Sequence, residues 1–485
     1  MESLQYSYSF DEQLQQDWHW PEKFSAQPDI LAYANHVADR FNLKKDIEFN
    51  VEVKASRFDE NLKTWKITTN TGEEIDAQYF IMATGCISTT QIPNIKGLSD
   101  YVGNTFHTGD WPHEEVDFSG QSIAVIGTGS SGIQSIPVLA KQAKKLTVFQ
   151  RTPNYSIPSQ NEPMTKKYER SWKDVYSERR KEMRYSAHGS LKDLNDVPAL
   201  SVDEDQRQEL YTKRWAIGGT GFLGSFNDLL TNADANYTAA EYVRQQINRV
   251  VKDKETAEIL CPRSYPIGTK RICIDTGYFE TYNRENVKLV DISKKPIQRL
   301  VADGIIVDDQ LYAFDSIIFA TGFDAMTGSI FNVDIKGRGG LALKEKWNAG
   351  PKTYLGLMSA SFPNLFMITG PGSPSVKSNM IMSIEQHVDL VIETLLSMRR
   401  KGLSVVEPEL EAENKWVDHV QEVANKTLFP QANSWYMGAN IPGKPRLFMP
   451  YIGGVGAYRE ICEEIVANNY RGFKFEKSKQ AIAAE

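Results

Sequence analysis

The sequence predicts an α/β protein, and three observations support that prediction. First, residues 122–150 run from an apolar strand through a GTGSSG motif and a helix into a second strand. Second, two strand-rich segments end in the same tripeptide, Ala-Thr-Gly, at residues 83–85 and 320–322. Third, residues 159–264 form a charged, helix-favouring segment between them. Together these features predict two dinucleotide-binding (Rossmann-like) domains, the first incomplete at its N-terminus and the second interrupted by a helical insertion.

The glycine motif lies in the local setting that binds a dinucleotide. Residues 122–126 (SIAVI) form an apolar, β-branched run typical of a buried parallel strand. In GxGxxG the first glycine permits a tight turn, the second lets backbone N–H groups approach a pyrophosphate, and the third allows close helix–strand packing. We therefore predict that a nicotinamide dinucleotide contacts Gly127, Thr128, Gly129, Ser130, Ser131, Gly132 and Gln134.

The end of the following strand indicates which nucleotide binds. An acidic residue at this position would hold a ribose 2′-hydroxyl, whereas Arg151 and Thr152 offer a planar cation and a hydroxyl. These groups suit a 2′-phosphate, so the sequence predicts NADP(H) rather than NAD(H). The alternative for Arg151 is an ordinary solvated charge at a strand end.

The repeated tripeptide indicates a second dinucleotide domain. The segment IDAQYFIMATG (residues 75–85) is similar to YAFDSIIFATG (residues 312–322), and each follows a strand pair. We predict the pairs as 65–69 with 75–82, and 305–307 with 311–319. Nearer the N-terminus we predict a helix over residues 28–41 with Ile30 on its buried face, and a half-buried strand over residues 47–53. No GxGxxG precedes residue 127, so we expect the chain to begin inside the first domain.

The composition excludes several classes of protein. The 485 residues include 55 basic and 62 acidic side chains, and the net charge of −7 gives no basic surface for nucleic acid. Mean hydropathy is −0.42, and there is neither an apolar run long enough to span a bilayer nor a signal-peptide layout. The cysteines lack metal-binding spacing and fit reduced thiols: Cys86, Cys261, Cys273 and Cys462. We therefore expect a cytoplasmic enzyme with no membrane or nucleic-acid partner and no metal site.

A second motif, Tyr101-x-Gly103-x-x-x-His107-x-x-x-Trp111-Pro112, precedes the glycine turn. With the NADP-type fingerprint it closely resembles the signature of Baeyer–Villiger monooxygenases, whose pattern opens with Phe where this chain has Tyr101. The likeness extends over almost the whole chain. It implies that Gly103, His107, Trp111 and Pro112 lie on an interdomain link that couples nucleotide binding to domain motion.

The resemblance also implies an activity and its cofactors. Members of the family use FAD and NADPH to insert one oxygen atom of O₂ beside a ketone carbonyl, giving an ester or lactone. The segment YPIGTKRICID matches the family's arginine segment, so the resemblance places on Arg271 the role of stabilising the C4a-peroxide of the flavin. Arginine suits this task because it stays charged and presents a rigid fork of donors. Further contacts are implied to NADP from Lys270 and Trp435, and to FAD from Tyr6, Val53 and Met380.

The two Ala-Thr-Gly tripeptides, which we call the first (residues 83–85) and second (residues 320–322) closing tripeptides, set the domain boundaries that the resemblance implies. Residues 1–88 would form the N-terminal part of the FAD domain, and residues 89–158 and 265–319 the NADP domain around the 159–264 insertion. Residues 320–485 would complete the FAD domain, with a mobile loop near 434–445. We expect a monomer that acts on a small ketone and O₂.

The segment expected to line the substrate pocket is Ser375, Val376 and Lys377. The resemblance leads us to expect an apolar residue where this chain has Lys377, and a buried ammonium without a partner is costly. Two other functions remain open. One is a flavin-containing N- or S-monooxygenase, and the other is a non-catalytic NADP-binding remnant of a flavoprotein.

Overall fold

The computed structural model describes residues 1–477. Its α-helices, numbered in chain order, are α1 Glu12–Asp17, α2 Gln27–Arg40, α3 Ser130–Gln142, α4 Lys166–Lys173, α5 Tyr176–Tyr185, α6 Glu204–Ile217, α7 Ala233–Val250, α8 Lys254–Leu260, α9 Tyr278–Thr281, α10 Gly328–Phe331, α11 Leu343–Lys346, α12 Met380–Arg400, α13 Leu410–Asn425 and α14 Val455–Ala467.

The strands, also numbered in chain order, are β1 Val53–Asp59, β2 Thr64–Thr69, β3 Glu74–Ala77, β4 Phe80–Met82, β5 Asn104–His107, β6 Ser122–Ile126, β7 Lys145–Gln150, β8 Ser156–Pro158, β9 Cys273–Asp275, β10 Val287–Asp291, β11 Ile297–Val301, β12 Gly304–Val307, β13 Gln310–Ala313, β14 Ser316–Phe319, β15 Asp334–Lys336, β16 Leu365–Met367, β17 Leu403–Pro408 and β18 Phe473–Lys477.

A five-stranded parallel sheet in the order β10-β7-β6-β14-β5 forms the middle of the chain. Its strands are apolar throughout because both faces are buried. In β6, Ile123 and Val125 join the apolar cluster on one face, whereas Ala124 and Ile126 join the cluster on the other. Helix α3 follows β6 directly, which is the strand–turn–helix order that the glycine motif predicts.

The two closing tripeptides end equivalent structural units. In each unit an antiparallel hairpin, β2–β3 or β12–β13, precedes a short strand that joins a parallel sheet, β4 or β14. The predicted single strands over 75–82 and 311–319 are therefore wrong in detail, because each divides in two. At the second division the carboxylate of Asp315 accepts a hydrogen bond of 2.7 Å from the backbone N–H of Ser122, which redirects the chain from the hairpin into the sheet.

The part of the fold that contains β4 is organised differently from the five-stranded parallel sheet. Within residues 1–477, β4 pairs only with β16, and a separate four-stranded sheet has the order β15-β1-β2-β3. The strand predicted over residues 47–53 is wrong, since β1 begins at Val53, and Ile47 and Phe49 are exposed. The helix predicted over 28–41 is confirmed as α2, but it buries Tyr33 and exposes Ile30.

The helices of the 159–264 insertion pack against two different parts of the fold. Helices α6, α7 and α8 pack beside the five-stranded sheet, whereas α4 and α5 pack against α1 and α2. The guanidinium of Arg180 in α5 is buried and donates 2.8 Å to the Ser7 hydroxyl, and the Tyr176 hydroxyl donates 2.7 Å to the Leu4 carbonyl. Helix α5 thereby fixes the N-terminal segment on either side of Tyr6.

Two further features concern the environment of the protein. No helix within residues 1–477 is at once long enough and apolar enough to cross a membrane. All four cysteines are buried, and none forms a disulfide in this part of the chain.

Candidate functional site

The turn between β6 and α3 requires its glycines. Gly127 has φ +112°, and a Cβ there would lie 2.5 Å from the Ala320 carbonyl oxygen. Its N–H donates 3.0 Å to the Phe149 carbonyl. A Cβ on Gly132 would clash with the Gly127 carbonyl oxygen. The turn therefore brings the start of α3 against the end of the sheet.

The start of α3 presents an open, polar surface. Gly129 is the N-cap of the helix and has open space around its Cα. Below it, the Thr128 hydroxyl donates 3.1 Å to the Thr152 carbonyl. The exposed Gln134 amide donates 3.1 Å to the Ser130 carbonyl, and Ser131 is half-buried beside it. Backbone N–H groups in the first helical turn lack intrahelical acceptors, so this end of α3 can bind a pyrophosphate.

Two cations lie together at the end of β7. Arg151 is exposed, and the Lys270 ammonium lies 4.5 Å from the centroid of the Tyr265 ring. Burial, and then the neighbouring Arg151 charge, lower the pKa of Lys270 to about 8. The Tyr265 hydroxyl donates 2.9 Å to the Pro153 carbonyl, which holds the ring under the lysine. Within residues 1–477 neither cation forms an ion pair with a carboxylate, so the two are free to bind a phosphate.

Arg271 follows Lys270 and is exposed at the start of β9. Strand β9 pairs with β8, and Cys273 of β9 belongs to the same buried apolar cluster as Ile133 of α3. The arginine segment therefore packs beside the nucleotide turn although more than a hundred residues separate them in sequence.

The charge of Arg271 acts on three segments of the chain. Burial raises the pKa of Tyr6, of the Cys86 thiol to about 11, and of Tyr436, and the positive charge of Arg271 opposes each shift. Tyr6 lies in the N-terminal segment, Cys86 directly follows the first closing tripeptide, and Tyr436 lies in the 434–445 segment. The charge of the predicted catalytic arginine thus acts on side chains that are far apart in the sequence.

The three predicted FAD residues occupy different places. Met380 begins α12, next to Asn379, whose side-chain amide donates 2.7 Å to the Gln5 carbonyl and so brings Met380 close to Tyr6. Val53 begins β1 and packs against the apolar cluster that contains β4. Tyr6 and Met380 are therefore brought together, whereas Val53 packs with the cluster that contains β4.

The residues around the first closing tripeptide fit the ring end of a flavin. The tripeptide is exposed, and large apolar side chains on either side of it, Ile81 and Ile87, are 43% and 49% exposed. Three buried polar atoms nearby in the fold lack a hydrogen-bond partner within residues 1–477: Ser375 Oγ, Asn379 Oδ1 and Ser434 Oγ. An exposed apolar surface with unsatisfied polar groups beside it suits a flat heteroaromatic ring.

The predicted substrate segment forms a 3₁₀-helix, Ser375–Lys377, in which Ser375 and Val376 are buried. The Lys377 ammonium lies 4.1 Å from the Phe429 ring centroid and 4.8 Å from that of Tyr436. Burial, then the charges of Arg271 and Lys192, lower the pKa of Lys377 to about 7. The segment therefore packs against Phe429 and Tyr436, and the charge of Arg271 acts on it.

Trp435 is half-buried in the 3₁₀-helix Trp435–Met437, and its ring centroid is 4.2 Å from that of Tyr436. Farther along the same segment the Lys444 ammonium bonds the Asp324 carboxylate at 2.6 Å, and the Asn440 amide donates 2.7 Å to the Phe323 carbonyl. These bonds hold the 434–445 segment against the residues that follow the second closing tripeptide.

The signature residues Gly103, His107, Trp111 and Pro112 lie between the two closing tripeptides in the sequence. His107 is buried at the end of β5, where its Nδ1 accepts 3.0 Å from the Gly109 N–H and its Nε2 lies 3.4 Å from the Thr321 hydroxyl. Burial lowers the pKa of His107, which keeps the imidazole neutral. Trp111 is 38% exposed and stacks on Phe106, and Pro112 follows it.

Close packing explains why residue 103 is a glycine. A Cβ there would clash with the Tyr101 hydroxyl, which donates 2.9 Å to the Phe314 carbonyl. The first residue of the signature is therefore buried, and the third must be glycine to accommodate it.

The sequence does not reveal two basic groups near the site, Lys192 and His188. Burial and the Arg271 charge lower the pKa of Lys192 to about 8, and burial with the Lys192 and Lys377 charges lowers the pKa of His188 to about 4. Nothing in the sequence distinguishes these groups, because His188 and Lys192 lie in the polar insertion and only the fold brings them to Arg271.

The sequence contains a second GxGxxG, at residues 219–224, which does not form a nucleotide-binding turn. It forms a 3₁₀-helix after α6 and does not follow a strand, so it lacks the geometry of a nucleotide turn.

Comparisons with known proteins show which family the chain belongs to. Residues 9–268 match the pyridine nucleotide-disulphide oxidoreductase family. A Baeyer-Villiger monooxygenase of Pseudooceanicola batsensis is 36% identical over 485 residues, which cover 99% of this chain and 88% of the relative. A solved structure of an oxidized steroid monooxygenase bound to NADP is 45% identical with a TM-score of 0.93, covering 99% of this chain and 90% of that chain.

A solved OTEMO complex with FAD and NADP is 36% identical with a TM-score of 0.94, covering 98% of this chain and 90% of that chain. These similarities extend over nearly the whole chain, and not over a nucleotide-binding module alone. The chain belongs to the Baeyer–Villiger monooxygenase family.

Proposed function

We propose that this protein is an NADPH- and FAD-dependent Baeyer–Villiger monooxygenase that converts a ketone and O₂ into an ester or lactone. The observation that supports this most directly is the position of Arg271. Arg271 is exposed two residues before β9, and its charge opposes the burial-raised pKa values of Tyr6, Cys86 and Tyr436, which come from three separate segments of the chain.

When bound, NADPH would supply the electrons and FAD would use them to activate O₂. The chain itself must then stabilise the negative charge that develops on oxygen as a nucleophile adds to the ketone carbonyl. Arg271 suits this task because its guanidinium presents several N–H donors in a rigid fork. The apolar rings of Phe429 and Tyr436 help to exclude water from this charge.

The remaining predicted residues have supporting roles in this proposal. The turn at 127–132 binds the pyrophosphate, and Arg151, Thr152 and Lys270 bind the 2′-phosphate. Trp435 covers the nicotinamide nucleotide, since its indole N–H is a donor. His107 is buried and positions the linker through Thr321.

The 2′-phosphate assignment gives the first prediction. Arg151→Ala should raise the KM for NADPH about 10- to 100-fold, the loss expected for one charge-assisted contact. The KM for NADH should change little, because NADH has no 2′-phosphate. Steady-state kinetics with both nucleotides measure this, and Arg299→Ala, an exposed arginine on β11, is the control. An equal loss with both nucleotides would contradict the assignment.

Flavin binding is tested by the visible absorption spectrum of the purified chain after incubation with FAD and desalting. We expect flavin bands to remain, because Tyr6, Met380 and the first closing tripeptide form a surface that fits the ring. A colourless protein would contradict FAD binding by these 485 residues and would favour the NADP-binding remnant.

We further propose that the enzyme is a cytoplasmic monomer. Four buried, unpaired cysteines fit a reducing compartment. Light scattering coupled to size exclusion should give the mass of one 54.8 kDa chain.

A further inference from the structure

The lysine assigned to the 2′-phosphate lies on an aromatic ring and not against a carboxylate. The Lys270 ammonium is 4.5 Å from the centroid of the Tyr265 ring, and Tyr265 is buried. In the part of the chain that the structure describes, Lys270 forms no ion pair with an acidic side chain. A carboxylate would neutralise the ammonium and repel a phosphate, whereas a ring face attracts the cation and leaves its charge intact. The ring therefore holds a cation that is still able to bind an anion.

The ring is itself fixed by its hydroxyl group and by a neighbouring ring. The Tyr265 hydroxyl shares its hydrogen between two acceptors at 2.9 Å, the Pro153 carbonyl oxygen and the Asn154 side-chain oxygen. The Tyr155 ring packs edge-on against it at a centroid distance of 5.5 Å. Pro153 follows Arg151 by two residues in the sequence. Tyr265 thus joins the two segments that carry the predicted phosphate-binding cations.

The backbone that leads to the lysine is fixed by the helical insertion. Asn236 of α7 is buried, and its side-chain amide both donates 2.9 Å to the Ile267 carbonyl and accepts 2.9 Å from the Ile267 N–H. The buried Thr269 hydroxyl donates 2.6 Å to the Pro266 carbonyl and closes the turn just before Lys270. Because both its backbone and the ring beneath it are held, Lys270 loses little conformational freedom when it binds a phosphate.

We propose that Tyr265 is a positioning residue that sets the preference for NADP(H) over NAD(H), because its ring holds the Lys270 ammonium in place for the 2′-phosphate. The inference rests on the proposed function, which assigns the 2′-phosphate to Arg151, Thr152 and Lys270. A lysine without this ring would have to be ordered at the moment of binding, and that ordering would weaken the phosphate contact. The contacts that NADP and NAD share would be unaffected.

Calorimetric titration of the purified chain with NADP⁺ and with NAD⁺ gives two dissociation constants, and their ratio measures the preference. Wild type should bind NADP⁺ more tightly. Tyr265→Leu should lower the preference about 3- to 10-fold through weaker NADP⁺ binding, the cost of ordering one long side chain. Tyr265→Phe keeps the ring but frees it from its two acceptors, so its preference should lie between those of wild type and Tyr265→Leu. Both constants come from one preparation, so a fraction of unfolded protein does not change their ratio.

Tyr312 and Lys288 supply a matched control on β13 and β10. The Lys288 ammonium lies 5.2 Å from the Tyr312 ring centroid, so Tyr312→Leu removes a similar cation–π contact elsewhere in the fold. This variant should keep the wild-type preference. A merely structural role for Tyr265 would weaken the binding of both nucleotides equally. An unchanged ratio in Tyr265→Leu, or an equal fall in Tyr312→Leu, would therefore overturn the proposal.

Lys270→Ala separates the failure of this inference from the failure of the proposed nucleotide site. It should lower the preference about 10- to 100-fold, and adding Tyr265→Leu to it should change the ratio little, because the ring acts through the lysine. An unchanged ratio in Lys270→Ala, or no preference for NADP⁺ in wild type, would contradict the 2′-phosphate assignment itself. If Lys270→Ala lowers the ratio and the loss from Tyr265→Leu adds to it in full, the assignment stands and the role of Tyr265 is overturned.

Discussion

Replacing Arg271 with alanine should lower kcat for ketone oxygenation by about 10²- to 10³-fold, the loss typical of removing one preorganised donor from a developing negative charge. The guanidinium is exposed toward the site, and its charge is felt by Tyr6, Cys86 and Tyr436 around it. The measurement is ester formation under saturating NADPH and ketone, with flavin content determined for each preparation.

The same variant separates two enzyme classes. Oxygen transfer to a sulfide develops no oxyanion on a ketone-derived carbon, so Arg271→Ala should retain much more of its sulfide activity than of its ketone activity. A flavin-containing N- or S-monooxygenase would have no ketone activity to lose. Persistent ketone turnover, or an equal loss with both substrates, would show that Arg271 does not have the proposed role.

Gly127→Ala should lower the free energy of unfolding by about 2–5 kcal/mol, from backbone strain and overpacking together. Gly127 has φ +112°, and its added methyl group would approach the Ala320 carbonyl oxygen to 2.5 Å. Because this contact joins the nucleotide turn to the second closing tripeptide, the damage should reach the whole parallel sheet. Urea unfolding of the variant measures the loss.

Gly129→Ala is the matched comparison two residues away. Gly129 has open space around its Cα and no left-handed backbone, so the fold should tolerate alanine within about 1 kcal/mol. NADPH affinity should nevertheless fall, because the methyl group would occupy the approach of the pyrophosphate. Equal destabilisation by both substitutions, or unchanged NADPH affinity in Gly129→Ala, would contradict the geometry of the turn.

Much of the fold could be predicted because its signals are local. The strand–GxGxxG–helix order forms β6 and α3, and the repeated tripeptide ends two equivalent units at residues 83–85 and 320–322. The division of each predicted strand was missed, since an apolar run does not reveal where a chain leaves a hairpin for a sheet. That choice depends on distant partners such as Asp315 with Ser122.

Other features were predicted incorrectly or missed because they depend on distant parts of the chain. Ile47 and Phe49 alternate as a half-buried strand would, but they are exposed and β1 begins later. In the site, Arg271 could be placed only by resemblance, because adjacent Lys-Arg is commonly a surface pair. Lys192 and His188 were not predicted at all. Their positions depend on how the insertion folds back on the rest of the chain.

The proposed function is tested most directly by isotope incorporation. Wild-type enzyme supplied with FAD, NADPH and a ketone should be incubated under ¹⁸O₂, and the organic product analysed by mass spectrometry. We expect an ester or lactone that contains one ¹⁸O atom, formed in proportion to the NADPH consumed. NADPH oxidation that yields only hydrogen peroxide, or NADPH binding without any labelled ester, would contradict it.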